Sequence, residues 1–286
     1  MPLDPELARL LEREAASGLP PRSARSVELT RRLYVDSSRA LGGTPVEVRI
    51  EQPRPDVRVY GEGPAVVVYF HGGRFFSGNL ETHDALCRSL AAQSGCRVAA
   101  ADYRLAPEHR WPAAVEDALA AVEWALERWP KVGVAGDSAG AALAGIAALA
   151  HRDRLACQLL LYPMLDPACA MASHADFASG FGPGSEDMRR GWKEYLPEGA
   201  DSRDARVTPL HAPNLAGAPS AYVLTAEYDC LRDEGECYAQ RLSAAGVPTV
   251  LRRYEGAIHG FLPMLGVSAL ARRATGEAAG WLRAQF

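Results

Sequence analysis

The stretch Val132-Gly133-Val134-Ala135-Gly136-Asp137-Ser138-Ala139-Gly140 reads as a buried strand that runs straight into a helix, with one serine at the corner. Val132, Val134 and Ala135 give a short apolar run, and from Ala139 to Ala150 almost nothing polar appears. That is the pattern of a helix buried against a sheet. Gly136, Ser138 and Gly140 spell G-x-S-x-G, in which the serine occupies a strained strand-to-helix turn and the glycines let the backbone pack closely around it. Three fixed positions are a weak signal alone; a strand before them and a helix after them give the signal weight.

Outward from this corner, strands and helices alternate. Ala65–Phe70 is continuously apolar, as a central strand covered on both faces would be, and ends in His71-Gly72-Gly73-Arg74. A helix is expected over Glu81–Ser94, stopped by Gly95, then a strand over Arg97–Ala101 and a helix opened by Pro112. Beyond the serine come a strand over Cys157–Tyr162, a strand over Ala221–Thr225, a helix over Arg232–Ala245, a strand over Thr249–Tyr254 and a last helix over Val267–Leu282. Val46–Ile50 and Val57–Tyr60 alternate apolar and polar residues and are expected as antiparallel edge strands. The rhythm predicts an α/β fold, a mostly parallel sheet with helices on both faces.

Two stretches fall outside the repeat. Asp4-Pro5 opens a helix carrying Leu7, Leu10 and Leu11, and a second helix carries Val27, Leu29, Leu33 and Tyr34. Between Asp166 and Pro209 the rhythm lapses around glycines 180, 182, 184 and 191, with one helix near Met188, Trp192 and Tyr195. Long excursions of this kind usually serve function. The expectation is therefore one domain over 1–286, with a helical cap formed by about 1–45 and about 167–207.

Composition narrows the partners. With 286 residues and 48% hydrophobic content the chain has ample material for a core, and a formal net charge of −4 gives no reason to expect nucleic acid or an anionic membrane surface. Lysine occurs only at Lys131 and Lys193, and the arginines are scattered rather than clustered. No run approaches the roughly twenty apolar residues that span a bilayer. Met1-Pro-Leu-Asp-Pro-Glu6 begins with acids and prolines where a secretory signal needs basic residues, so a cytoplasmic location is expected. The six cysteines show neither a CxxC pair nor a histidine at metal spacing, which points to free thiols and to no metal.

A serine hydroxyl becomes a competent nucleophile when an imidazole takes its proton and a carboxylate fixes that imidazole's tautomer. For a serine at such a corner, the acid and then the histidine are expected downstream. Tyr222-Val-Leu-Thr225 is followed by Ala226-Glu227-Tyr228-Asp229, and the last strand by Glu255-Gly-Ala-Ile-His259-Gly260-Phe261. His259 is the candidate base; His71, His83 and His109 precede the serine, while His151, His174 and His211 sit at a helix end, in the excursion or ahead of the last two strands. Asp229 is the candidate acid, with Glu227 and Asp233 as competitors. The developing oxyanion needs donors, and the amides of the His71-Gly72-Gly73 turn and of Ala139 can supply them.

The motifs His71-Gly-Gly73, Asp102-Tyr-Arg-Leu-Ala-Pro-Glu108, Gly136-Asp-Ser-Ala-Gly140, Ala226-Glu-Tyr-Asp229 and His259-Gly-Phe261, in this order, resemble the hormone-sensitive-lipase-like branch of the α/β-hydrolases, the bacterial type IV carboxylesterases. The resemblance runs from about Val46 to the end, and the amino-terminal helices resemble that family's cap. It implies an α/β-hydrolase fold with Ser138, Asp229 and His259 as catalytic triad. The amides of Gly73, Arg74 and Ala139 would be oxyanion donors, with Gly72 as an alternative. It further implies hydrolysis of short- to medium-chain acyl esters through an acyl-enzyme, without a cofactor. An amidase or lactonase would use the same parts, and a non-catalytic receptor on this fold would be expected to lack a triad member. The partner is a small-molecule ester; the exposed last strand could pair two subunits in a homodimer. Two departures stand out. Arg74 replaces the last glycine of the family's HGGG, so its guanidinium is expected either to crowd the pocket or to attract an anionic substrate group, and Cys230 replaces a proline after the acid.

Overall fold

The computed structural model describes residues 2–286. Its strands are β1 (Ile50–Arg54), β2 (Val57–Tyr60), β3 (Ala65–Phe70), β4 (Arg97–Ala101), β5 (Lys131–Asp137), β6 (Cys157–Leu161), β7 (Ser220–Tyr228) and β8 (Thr249–Ile258). They form one sheet in the order β1-β2-β4-β3-β5-β6-β7-β8. β1 and β2 are antiparallel, and every pairing from β4 to β8 is parallel. The chain places β4 on one side of β3 and β5 on the other, so the order reverses there. Carboxyl ends of strands at such a reversal open a crevice suited to a ligand.

The helices follow from which side of each strand is apolar. Along β3, Val66, Val68 and Phe70 join a core with α4 (Ala113–Leu126), α5 (Ala139–Ala150) and α8 (Arg232–Ala244), whereas Val67 and Tyr69 join a second core with α3 (Asp84–Ser94) and α9 (Ala269–Gln285). This two-residue alternation gives the sheet two covered faces. α5 is buried over nearly its whole length and lies so close to β3 that a Cβ on Gly140 would stand 2.0 Å from the Phe70 carbonyl oxygen. α1 (Pro5–Ala15), α2 (Val27–Leu41), the short α6 (Ala172–Asp176) and α7 (Ser185–Tyr195) complete the helices. Asp4 caps α1 by accepting from the Glu6 and Leu7 amides at 2.9 and 3.1 Å.

Several boundaries differ from the sequence expectation. The alternating Val46–Ile50 is not a strand apart from its last residue; pairing starts at Ile50 opposite Tyr60 and closes with Arg54 opposite Val57. The turn between β1 and β2 sets that register, and Val46 lies beyond the partner strand's reach and is exposed. The helix expected from Glu81 begins at Asp84, because the Asn79 side chain accepts from the Glu81 and Thr82 amides and holds them in a turn. β7 and β8 run past Thr225 and Tyr254 to Tyr228 and Ile258, so Glu227 lies in a strand and His259 directly follows one. At the open edge β8 exposes Val250 and Leu251. No helix among the described residues is long and apolar enough to cross a membrane.

Glu234, in the first turn of α8, is fully buried and receives the amides of Asp166 and Leu165 just after β6. Burial, reinforced by Asp166, pushes its carboxyl well above the ordinary range. A raised value favours the protonated folded state, so this contribution is complete below the unfolded carboxylate value and is lost as pH climbs toward the folded one. Glu234→Gln cannot ionise; from pH 5 upward the wild type should lose up to about 1.4 kcal/mol per pH unit relative to it, read by urea unfolding at stepped pH. Parallel stability curves would contradict this. Gly140→Ala forces backbone apart and should cost about 3 kcal/mol. Gly95→Ala meets nothing within 4 Å and carries only the cost of its φ of +73°, about 1 kcal/mol. Equal losses in the two variants would refute the packing argument.

Candidate active site

Ser138 stands between β5 and α5 with φ 54° and ψ −120°, a conformation an L-residue holds only when its surroundings impose it, at a cost of about 1–3 kcal/mol. Its amide donates to the Leu161 carbonyl at 2.9 Å, and its carbonyl accepts from Met164 at 3.1 Å, so β6 and the loop after it grip both sides of the turn. On Gly136 a Cβ would lie 2.3 Å from the Gly140 carbonyl, which explains the two glycines of the motif.

The side chain meets the end of β8. His259 Nε2 is 3.0 Å from Ser138 Oγ, and His259 Nδ1 is 2.8 Å from Asp229 Oδ2. Nδ1–H donating to the carboxylate leaves Nε2 as acceptor for the serine O–H. The other Asp229 oxygen accepts from the Leu231 amide at 2.8 Å, so both oxygens are committed and the group is 1% exposed. The Tyr162 ring packs on the imidazole in a T-shaped arrangement, centroids 5.0 Å apart. The competing acids face elsewhere. Glu227 accepts from the Gly256 amide at 2.7 Å, and Asp233 from the Ser173 amide and Arg232 Nε, both at 2.8 Å. Cys230 is buried and directs its thiol to the Pro183 carbonyl.

Of the four amides considered as oxyanion donors, three are open. Gly73, Arg74 and Ala139 donate to no acceptor among the described residues. Gly72 does not qualify, because its amide donates to Asp137 Oδ1 at 2.8 Å and cannot also face a substrate. Gly73 adopts φ +131°, and a Cβ there would lie 2.0 Å from the Ser77 carbonyl, so the corner requires glycine. Arg74 has φ +56° and Phe75 φ +63°. Two consecutive side-chain-bearing residues in the left-handed region cost about 1–2 kcal/mol each.

Asp137, between the motif's glycine and serine, holds several partners. Besides Gly72, its Oδ1 takes the Tyr69 hydroxyl at 2.7 Å and His83 Nε2 at 3.0 Å. Burial alone would raise this carboxyl; His83, Tyr69 and the Gly72 amide outweigh it and hold it below the ordinary range. His83, which precedes the serine in the chain, is buried as a partner of Asp137 and does not reach Ser138 as a base. His71, pushed down to about 4 by burial and by His83, is neutral, stacks on Tyr103 at 4.3 Å and accepts the Tyr103 hydroxyl at its carbonyl, 2.7 Å away. The signal that could have revealed this network was an acid in an otherwise wholly buried stretch, since a buried carboxylate must have partners.

A cavity of about 320 Å³ opens over Ser138 and His259. Leu10, Leu11, Leu33 and Tyr34 of α1 and α2 line it, with Met188 of α7, Ile258 and Met264. Arg74 also lines it, 7% exposed, with its guanidinium 3.5 Å from Asp187 and over the Phe76 ring at 4.8 Å. Burial pushes it down to about 10, against the pull of Asp187, so it remains a cation at neutral pH.

A model of the alpha/beta hydrolase fold family matches residues 67–263. The chain is 39% identical over 243 residues to Esterase LipI of Mycobacterium tuberculosis, covering 81% of this chain and 75% of that protein. To the ethyl acetate hydrolase of Pseudomonas putida it is 33% identical over 299 residues, covering 92% and 93%. Among solved structures, the hyperthermophilic esterase of the archaeon Pyrobaculum calidifontis superposes with a TM-score of 0.92 at 36% identity, over 99% of both chains. With the sheet order and the serine corner already in place, these matches mean that the chain belongs to the alpha/beta hydrolase fold family, in its hormone-sensitive-lipase-like carboxylesterase branch.

Proposed function

We propose that Ser138, His259 and Asp229 carry out the carboxylic ester hydrolysis of this protein, through an acyl-enzyme and on short- to medium-chain acyl esters. The observation that carries this reading is the unbroken hydrogen-bond series from Asp229 through His259 to Ser138 on the floor of the cavity.

Ser138 Oγ attacks the ester carbonyl as His259 Nε2 takes its proton. The imidazolium so formed is stabilised by Asp229, whose second oxygen stays fixed by the Leu231 amide. The carbonyl oxygen becomes an oxyanion that the Gly73, Arg74 and Ala139 amides receive; each such donor is worth on the order of 3 kcal/mol in the transition state. His259 then protonates the departing alcohol, and water repeats the sequence on the acyl-enzyme. The segments up to about 45 and over about 167–207 are read as a cap; they line the cavity with Leu10, Leu11, Leu33 and Met188, which suit an acyl chain, and with Arg22 and Arg25, whose charges are paired with Glu14. A reducing compartment such as the cytoplasm suits six unpaired cysteines, five of them buried.

A series of p-nitrophenyl esters from acetyl to dodecanoyl should show kcat/KM highest among the short and medium chains. Ser138→Ala and His259→Ala should each lower kcat by a factor of about 10⁴ or more, and Asp229→Asn by about 10⁴, at little changed KM. Retention of activity by Ser138→Ala, or a preference for amides over esters, would overturn the assignment.

A further inference from the structure

The corner that donates two of the oxyanion amides is held from outside the sheet. Arg74 and Phe75 occupy left-handed backbone, and nothing in their own sequence favours it. Their side chains pack on α7, while the Phe75 carbonyl accepts from the Ala106 amide at 2.9 Å. Phe75 stacks on Tyr195 with centroids 3.9 Å apart and planes 8° apart, and tilts against Trp192 at 5.1 Å. The Arg74 Cβ fits against Gly191, where an added Cβ would come within 2.7 Å of it. Its guanidinium reaches Asp187 Oδ1 at 3.5 Å. Asp187, Gly191 and Tyr195 follow one another at four-residue intervals and share a face of the helix, with Trp192 on its flank. Asp187 is fixed in turn, since its other oxygen accepts from the Gly184 amide at 2.9 Å and so caps the helix.

We propose that Arg74 is a positioning residue whose side chain, clasped by Asp187 and Gly191 of α7, holds its own amide and that of Gly73 in the oxyanion-binding orientation. The inference rests on the reading of those amides as donors. It explains how an arginine stands where the family has glycine. The side chain supplies an anchor to the excursion helix, and Gly191 supplies the space the arginine needs. The cation is paired by charge, without a hydrogen bond between Arg74 Nη1 and Asp187 Oδ1, to an acid that is itself buried and pinned, and it lies over the Phe76 ring, which directs it toward α7. α7 is then part of the catalytic frame rather than only a cover.

The test uses the full chain with Asp187→Asn, Arg74→Met, Arg74→Lys and the Asp187→Asn/Arg74→Met double variant, folding checked by circular dichroism. Asparagine can still accept from the Gly184 amide, and methionine keeps the side chain's bulk without its charge. Expected is a fall in kcat of about 10- to 100-fold for each of the first two, with KM within about twofold. Affinity for a trifluoromethyl ketone, whose serine adduct carries the oxyanion, should fall in parallel. The double variant should be no worse than either single one, since both break the same link, and Arg74→Lys should recover much of the loss. Neutral p-nitrophenyl butyrate and a carboxylate-bearing p-nitrophenyl glutarate should be affected alike. Unchanged kcat in both single variants would overturn the proposal, as would a loss confined to the KM of the anionic ester, which would make Arg74 the substrate's partner. Failure of the serine mechanism itself would be read separately, on Ser138→Ala.

Discussion

Everything at the site depends on one unfavourable backbone conformation, that of Ser138. A φ of 54° with a ψ of −120° turns the hydroxyl out at the carboxyl edge of the sheet, and the fold supplies what keeps it there. β6 and its following loop bond both sides of the peptide, Gly136 and Gly140 let β5 and α5 meet without a collision, and α5 is pressed onto the end of β3. Strain of this size persists only where the surroundings over-determine it. The long apolar helix after the serine, buried along nearly its whole length, is therefore part of what holds the turn.

The second constraint couples the nucleophile to the electrostatic half of the site. Asp137 precedes Ser138 in sequence, and its carboxylate holds the Gly72 amide, which opens the turn that presents Gly73 and Arg74. One residue therefore ties the corner of the nucleophile to the start of the turn that carries the amides, which α7 supports from the other side. Tyr69, His83 and Gly72 satisfy it so fully that it is held ionised despite complete burial. Preorganised dipoles are effective because they need no rearrangement as charge develops, and this network supplies the rigidity on the side away from the cavity.

Much of this is legible in the sequence because it is local. The strand-serine-helix corner, the glycine stop at Gly95 and the helix start at Asp4 each depend on neighbours a few residues away. The chain order of acid and histidine points to His259 but leaves Glu227 and Asp233 beside Asp229; in the structure it is Asp229 that meets His259, which in turn meets Ser138. What the sequence conceals is contact between distant segments. Strand β1 begins at Ile50 and not at Val46, since the alternating pattern does not say where a partner lies. Gly72 reads as a free donor until Asp137 is seen beneath it, 65 residues away in the chain. The Arg74 guanidinium finds Asp187 in a segment that sequence could describe only as a long excursion.

The most direct test of this account is to trap the first covalent step. A p-nitrophenyl alkylphosphonate offers a tetrahedral phosphorus to the nucleophile, loses p-nitrophenol and leaves the phosphonyl group on the attacking oxygen. Peptide mass spectrometry after stoichiometric inactivation should find that group on Ser138 alone, and His259→Ala should be modified far more slowly. Modification of any other residue as the inactivating event, or full inactivation of a Ser138→Ala variant, would contradict the account.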